Sequence, residues 1–159
     1  MHPNEMMIEH FYSSFATHDY AGMIALYAPN IEFSDPVFSL KGRSVGAMWH
    51  MLCESGKDLT ITFKNIKADD HIGHAHWEAK YTFNSSGRKV LNIIEAQFQF
   101  ENSQITQHFD NFNFWRWSHQ AIGPAGTLLG WSPILQNKVK QTAKQRLNKF
   151  IAQHPEYSD

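Results

Sequence analysis

The sequence predicts an α+β fold, in which helices and strands occupy separate stretches of a 159-residue chain. Apolar residues recur at helical spacing in the first third of the chain and again in the last part. Between about residues 59 and 113, apolar and polar residues instead alternate in segments joined by short turns, as they do in an antiparallel meander. A chain of this length is long enough for one domain with a sizeable core, so we expect residues 1–159 to form a single domain.

The first third of the chain is predicted to be mainly helical, with a polar residue at the start of each helix. Such residues accept hydrogen bonds from backbone N–H groups that the first helical turn leaves free. The predicted caps and helices are Asn4 for residues 4–17, Asp19 for 20–28 and Ser44 for 45–54. Pro29 is expected to end the second helix, and a short strand, 31–34, follows it.

The remaining segments are predicted from their period and from their turn residues. The predicted strands are 59–64, 74–83, 89–100 and 105–113. The chain then returns to a helical pattern over 114–122, which Gly123-Pro124 is expected to end before a loop that contains Gly126 and Gly130. Ser132 followed by Pro133 is a typical helix start, and the last helix should reach about Gln153.

Asp35 stands at the end of the first short strand, directly before Pro36. Proline lacks an N–H and favours an extended backbone at the preceding residue, so the strand should end at this point. An Asp35 side chain in an apolar cavity would be a proton-transfer group. An Asp35 side chain in a surface loop would instead accept turn hydrogen bonds from residues 38–42.

The segment Ala25-Leu26-Tyr27-Ala28, followed by a strand that ends in Asp35-Pro36, resembles the nuclear-transport-factor-2-like superfamily, in particular its SnoaL-like and ketosteroid-isomerase-like groups. Gly87-Arg88-Lys89 and the paired segments 94–100 and 105–113 continue the resemblance, which covers most of residues 5–113. It implies a cone-shaped barrel with a pocket, in which a curved antiparallel sheet wraps around three N-terminal helices. Residues 114 to about 153 would then be an extension that ends in an extra C-terminal helix.

The resemblance also shows where this chain departs from ketosteroid isomerases. In those enzymes the Asp of Asp-Pro moves a proton, while a tyrosine and a protonated aspartic acid stabilise the oxyanion. The tyrosine position falls at Phe11, with Tyr12 one residue away, and the aspartic acid position falls near Ala96. Because both donors are missing, we expect chemistry other than steroid isomerisation.

The last predicted strand offers polar groups that could replace those donors. Its alternation places His108, Asp110 and Phe112 on one face, and the resemblance places that face toward the pocket. We therefore predict Asp35, His108 and Asp110 as the catalytic groups, because carboxylates enclosed by aromatic rings lose solvation and can exchange protons near neutral pH. The predicted ligand contacts are Tyr27, Met48, Trp49, Trp77, Tyr81, Phe98 and Phe112.

The expected ligand is a small, mostly apolar carbonyl compound or epoxide, and the expected chemistry resembles that of isomerases, cyclases or epoxide hydrolases without a cofactor. Other interpretations stay open. His108 and Asp110 can be a buried pair that stabilises the sheet, and the aromatic side chains can be ordinary core. The domain can also be a non-catalytic module for ligand binding or dimerisation. The segment Phe114-Trp115-Arg116-Trp117 can cover the pocket or pack in a dimer.

A histidine cluster in the middle of the chain raises the question of a metal site. His71, His74 and His76 lie next to Asp69 and Asp70. His74 and His76 should share the strand face that points away from the pocket, and no clear third ligand accompanies them. We therefore expect an exposed sheet surface or a dimer contact there, and neither a metal nor an organic cofactor.

Composition limits the classes of partner and compartment. A net charge of −1 and a pI near 6.8 give no general attraction to nucleic acid or anionic lipid. The lysines and arginines of the last helix flank its apolar stripe on both sides instead of forming one basic face. Cys53 is the single cysteine, no signal-peptide pattern begins the sequence, and no apolar run is long enough to cross a bilayer. We expect a cytoplasmic protein that binds a small apolar molecule, with no nucleic-acid or membrane partner, and the family resemblance implies a homodimer.

Overall fold

A computed structural model describes all 159 residues and confirms the α+β class. In chain order the elements are α1 Pro3–Ala16, α2 Tyr20–Ile24, β1 Tyr27–Ser34, β2 Ser39–Lys41, α3 Arg43–Ser55, β3 Thr60–Ala68, β4 Ile72–Phe83, β5 Arg88–Glu101, β6 Gln104–Asn111, α4 Phe114–Ile122, α5 Pro124–Leu129, α6 Pro133–Gln153 and a 3₁₀ turn Pro155–Tyr157. The bounds of α4 and α6 agree with the sequence prediction. No helix is both long enough and apolar enough to span a bilayer.

The six strands form one curved, unclosed sheet in the order β2-β1-β6-β5-β4-β3. Strands β3 to β6 are antiparallel neighbours, so the predicted meander is confirmed. Strand β1 extends this sheet by pairing with β6 in parallel, and the short β2 pairs with the other edge of β1. Helix α1 packs against β3 and β4, while α3 contacts α2 and β1. The sheet therefore wraps around the N-terminal helices, and α6 is the extra C-terminal helix.

The core between helices and sheet is built largely from aromatic rings. Phe15 of α1 lies 5.1 Å from Trp49 and 5.5 Å from Trp77, measured between ring centroids. Phe11 contacts Tyr12 edge-on at 5.2 Å and Trp49 at 5.8 Å. Edge-on and tilted pairs of this kind each add about 0.5–1.5 kcal/mol beyond the burial of apolar area. Many of the aromatic residues are thus core, as the sequence interpretation allowed.

The predicted cap of the first helix is wrong by two residues. His2 is the N-cap, because its Nδ1 accepts a hydrogen bond from the Asn4 N–H at 3.1 Å while Glu5 accepts one from the His2 N–H at 3.1 Å. This reciprocal arrangement is a capping box. Asn4 lies inside the first turn, where its side-chain amide donates to the carbonyl oxygens of Asp69 and Asp70.

The predicted second helix, 20–28, is too long. Helix α2 starts at Tyr20 with Asp19 as its cap, as predicted, but it ends at Ile24, and β1 begins at Tyr27. Pro29 lies within that strand instead of ending a helix. The register of β1 against β6 shifts between Tyr27 and Glu32, and such irregular positions accommodate a proline that cannot donate to the ladder. Tyr27 consequently belongs to the sheet and not to a helix.

Three further details differ from the sequence prediction. Gly42, with φ 67°, is the residue at the start of α3, and Ser44 lies inside the helix, where its hydroxyl donates to the Lys41 carbonyl. Strand β2 was not predicted. The loop expected around Gly126 is helix α5, which packs so closely on α4 that a Cβ at Gly126 would lie 2.0 Å from the Ser118 carbonyl oxygen.

The packing of α1 on β4 predicts a stability effect at Gly73. In a Gly73→Ala variant the new Cβ would come within 2.7 Å of Ile8 Cδ1 and 2.9 Å of Phe100 Cε2. We expect the free energy of unfolding to fall by about 1–3 kcal/mol, as is usual when a packed core is overfilled. The control is Gly87→Asn, since the space there is open and asparagine tolerates positive φ. Urea unfolding measures both variants, and wild-type stability in Gly73→Ala would contradict this packing.

Candidate functional site

A cavity of about 480 Å³ opens between the sheet, α3 and α6, a size that suits a small organic ligand. Its walls are mostly apolar and aromatic. Five of the predicted ligand contacts line it: Met48, Trp49, Trp77, Tyr81 and Phe112. Asp35 and Asp110 are its only acidic lining residues, so two carboxylates share one apolar space.

Asp110 is a buried residue near the end of β6 and presents its two carboxylate oxygens differently. Its Oδ1 accepts hydrogen bonds from His108 Nε2 at 3.0 Å and from Trp77 Nε1 at 3.3 Å. Its Oδ2 has no hydrogen-bond partner in the protein. Because Asp110 lines the cavity, this second oxygen is the one that a ligand can reach.

A chain of buried hydrogen bonds holds His108 behind Asp110. Trp49 Nε1 donates to the Tyr27 hydroxyl at 2.9 Å, and that hydroxyl lies 2.8 Å from His108 Nδ1. All groups are satisfied when the Tyr27 O–H donates to Nδ1 and the His108 Nε2–H donates to Asp110. The network therefore favours the arrangement in which the Tyr27 proton points to Nδ1 and the imidazole proton lies on Nε2.

Three predicted site residues lie behind the cavity wall instead of on it. Tyr27, Phe98 and His108 are buried and do not line the cavity. The ring of His108 is enclosed by other rings, including Phe98 at 4.3 Å and Phe33 at 5.1 Å between centroids. His108 is therefore not placed to touch a molecule in the cavity, but it contacts Asp110, which does line the cavity.

Asp35 combines the two alternatives that the sequence left open. Its Oδ1 accepts turn hydrogen bonds from the N–H groups of Val37 and Phe38 at 2.7 and 2.6 Å, while the residue also lines the cavity. Burial raises the pKa of Asp35 from its ordinary value of 3.8 to about 6, the two backbone donors oppose this rise, and the nearby Asp110 carboxylate adds to it. Asp35 can therefore exchange a proton close to neutral pH.

The C-terminal extension supplies part of the cavity wall, and it includes Trp117 from the segment that the sequence analysis offered as a possible cover for the pocket. Trp117 of α4 lines the cavity and donates from Nε1 to the Tyr81 hydroxyl at 2.7 Å. Helix α6 contributes apolar and cationic side chains and one hydroxyl, namely Leu135, Lys138, Val139, Thr142, Ala143 and Arg146. The apolar stripe of α6 was visible in the sequence, but nothing in it indicated which surface the stripe covers.

The positions that carry oxyanion donors in ketosteroid isomerases are apolar here. Phe11 and Ala96 are both buried. The neighbouring Tyr12 is buried too, and its hydroxyl has no hydrogen-bond partner. Burial, with Asp110 nearby, raises the pKa of Tyr12 well above its ordinary value of 10, so Tyr12 retains its proton.

The histidines of β4 form a separate surface feature. His76 lies between two carboxylates, with Nε2 2.7 Å from Glu78 and Nδ1 2.5 Å from Glu95. These hydrogen bonds raise the pKa of His76. Since both ring nitrogens of His76 are engaged, it is a surface ion-pair residue in this structure.

Comparison with known proteins supports the fold. The family model of the SnoaL-like domain matches residues 8–108. A structure described as a proposed polyketide cyclase from Xanthomonas campestris pv. campestris superposes with a TM-score of 0.63 at 18% identity, covering 74% of this chain and 96% of that one. A ketosteroid isomerase-like protein from Catenulispora acidiphila, in complex with trimethylamine, gives 0.64 at 12% identity and covers 80% and 97%.

IdmH from Streptomyces antibioticus, also described as a proposed polyketide cyclase, gives a TM-score of 0.59 at 15% identity, with 71% of this chain and 93% of that one covered. No curated protein sequence matches the chain. At these identities the structural likeness concerns the fold alone.

The hydrogen-bond chain predicts that two buried tyrosines respond differently to loss of the hydroxyl. Tyr27→Phe leaves Trp49 Nε1 and His108 Nδ1 without a partner, so the free energy of unfolding should fall by about 1–3 kcal/mol. Tyr12→Phe removes a hydroxyl that bonds to nothing and should be neutral or stabilising. Urea unfolding followed by circular dichroism compares them, and equal losses in both variants would contradict the network.

The raised pKa of Asp35 predicts a specific pH dependence of stability. Between pH 4 and 6 the folded Asp35 keeps its proton while the unfolded one ionises, so its contribution to stability is full below pH 4 and is lost as the pH rises through 6. The loss should amount to roughly 1–3 kcal/mol. Asp35→Asn retains the acceptor for Val37 and Phe38 but does not titrate.

The measurement is the difference in free energy of unfolding between wild type and Asp35→Asn from pH 4 to pH 7. We expect wild type to lose stability relative to the variant across this range. A constant difference, or a relative gain by wild type, would refute the pKa assignment.

Proposed function

The chain belongs to the SnoaL-like domain family, and from this premise we propose that it binds a small, mostly apolar molecule in its cavity and performs cofactor-free acid/base chemistry on it. The observation that carries the proposal is the presence of two carboxylates in different surroundings on the wall of one apolar cavity. Carboxylates whose environments differ can divide the roles of acid and base between them.

Asp110 is the proposed base. Its Oδ1 acts as an acceptor for His108 and Trp77, which fixes the orientation of the carboxylate, and its Oδ2 is free toward the cavity. The hydrogen bond from Tyr27 to His108 in turn fixes the imidazole. A base held in this way needs little reorganisation when it accepts a proton from a carbon next to a carbonyl, or from a water molecule.

Asp35 is the proposed acid. With a pKa of about 6 it is partly protonated at neutral pH and can deliver that proton to a ligand oxygen or carbon. The ligand proton passes to Asp110 and the Asp35 proton passes to the ligand, so the ligand is isomerised or cyclised without net gain or loss of a proton. Exchange with solvent restores the two carboxyl groups.

The wall composition supports a ligand that is apolar at one end and polar at the other. Trp49, Trp77 and Phe112 offer flat apolar contacts, whereas Lys138 and Arg146 are the cations on the wall and belong to α6. Such cations favour a carbonyl-rich or anionic group on that side. The descriptions of two similar structures as proposed polyketide cyclases agree with a carbonyl-bearing ligand.

A non-catalytic ligand-binding module is the second candidate. It is favoured by the completeness of the network from Trp49 to Asp110, in which each nitrogen and hydroxyl of Trp49, Tyr27 and His108 has a partner without any ligand. A satisfied network of this kind stabilises a fold even when no reaction occurs.

The proposal is tested by combining ligand identification with turnover. Native mass spectrometry of the purified protein identifies a retained molecule. Deuterium uptake from D₂O into that molecule, or into the bicyclic ketone 2-tetralone, then reports proton transfer by NMR. We expect Asp110→Asn to slow uptake by about 10²–10⁴-fold, the usual range for loss of a general base.

Asp70→Asn is the matched control, because the Asp70 side chain is 84% exposed and does not line the cavity. It should leave the exchange rate unchanged. Equal rates in wild type and Asp110→Asn would remove Asp110 from catalysis. A ligand that binds wild type without any exchange would favour the binding module.

A further inference from the structure

A second cluster of chemically active side chains lies where the C-terminal end of α6 meets α3. His50 and Glu54 are one turn apart on α3, and His154 directly follows α6. One ligand atom from each of the three residues lies within 4.8 Å of the others. We propose that His50, Glu54 and His154 form a binding site for a divalent transition-metal ion of the zinc type.

His154 is already oriented as a metal ligand. Its Nδ1 lies 2.8 Å from the Phe150 carbonyl oxygen, and a carbonyl can only accept, so Nδ1 carries the ring proton. This leaves the lone pair of Nε2 free, and Nε2 has no hydrogen-bond partner in the protein. Stacking on Phe150, at 3.9 Å between centroids, further holds the ring. Metal-binding histidines commonly have their second nitrogen fixed by a backbone carbonyl in this manner.

His50 is held from both sides in the same region. Its ring is buried and stacks on Tyr20 at 3.6 Å between centroids. Its Nδ1 lies 2.8 Å from the Tyr157 hydroxyl, and its Nε2 lies 2.8 Å from Glu54 Oε1. A tyrosine hydroxyl can accept as well as donate. When Nδ1–H donates to Tyr157, the Nε2 lone pair faces Glu54 and is available to a cation shared with that carboxylate.

The donor set indicates the kind of ion. Two imidazole nitrogens and one carboxylate oxygen suit zinc and similar ions, with a fourth position open to water. Metal binding requires the His50 Nε2 and Glu54 Oε1 atoms to separate slightly, since each would bind the ion at about 2.0–2.2 Å. Glu54 can make that adjustment because 55% of its side chain is exposed.

The cluster differs from an ordinary His–Glu pair on a helix surface. Such a pair needs only two residues at i and i+4, whereas here a nitrogen of His154, from the segment that follows α6, also lies within 4.8 Å of both. None of the three residues lines the cavity, so the site is separate from the proposed acid/base groups. His154 also lies outside residues 8–108, which match the SnoaL-like domain.

The proposed ion would join the C-terminal extension to the family domain. It would bridge α3 to the end of α6, the helix whose Val139 and Ala143 form part of the cavity wall. A further link nearby is the hydrogen bond from Arg43 to the Ser158 carbonyl at 3.0 Å. Metal binding should therefore stabilise the docked position of α6.

The test is calorimetric titration of the chelator-treated, full-length protein with zinc chloride. We expect one zinc ion per chain and a rise in the thermal unfolding midpoint. Glu54→Gln and His154→Gln should each weaken zinc affinity by about tenfold or more and reduce the rise in that midpoint. The glutamine of Glu54→Gln can still accept the hydrogen bond from His50, so this variant should fold normally.

The control addresses weak zinc binding by other histidines, of which the chain has ten in total. His10→Gln removes an exposed histidine of α1 that lies outside the cluster, and should bind zinc like wild type. Cobalt(II) provides a second readout, because its visible spectrum should change in His154→Gln but not in His10→Gln. Absence of zinc binding, or unchanged affinity in both cluster variants, would overturn the proposal.

Discussion

The hydrogen-bond chain from Trp49 through Tyr27 and His108 to Asp110 is the constraint on which the candidate site depends. A carboxylate inside an aromatic core is costly unless hydrogen bonds replace its lost hydration. This hydrogen-bond chain supplies Asp110 with one such bond, from His108, and Trp77 supplies another. It forms because β1 pairs in parallel with β6, which places Tyr27 beside Ile105 and within hydrogen-bond distance of His108. Fold topology and site chemistry are therefore inseparable in this protein.

The same topology explains why the two cavity carboxylates differ. Asp110 projects from the sheet and is bound by side-chain donors, whereas Asp35 follows the end of β1 and is bound by backbone N–H groups of the next turn. Burial raises the pKa of Asp35 and the second carboxylate raises it further, while the backbone donors and His108 oppose the rise. This asymmetry follows from the place of each residue, since Asp110 lies within β6 and Asp35 lies in the turn that follows β1.

Sequence patterns predicted the elements that depend on interactions between residues close together in the sequence. The caps and breakers of α4 and α6 gave their bounds, and period-two alternation gave the meander. Tyr27 was misplaced because its spacing from Met23 fits a helix, whereas its actual partner, Ile105, is distant in sequence. Alternation correctly grouped His108 with Asp110 on one strand face. It does not show whether a side chain on that face lines the cavity or lies behind its wall, and only Asp110 lines it. The convergence of His50 and His154 was equally invisible, because it depends on how α6 docks.

Helix α6 connects these findings. The strands and α3 alone would leave Asp35 and Asp110 in a pocket open on one side, and the apolar stripe of α6 lines that side with Val139 and Ala143. Only Leu147 of this helix is fully buried, so its docking rests on few core contacts and on its C-terminal end. Elements held by few buried contacts open more readily than the core. The hydrogen bond between His50 and Tyr157 connects the segment that follows α6 to α3, so it helps to hold this cavity wall in place.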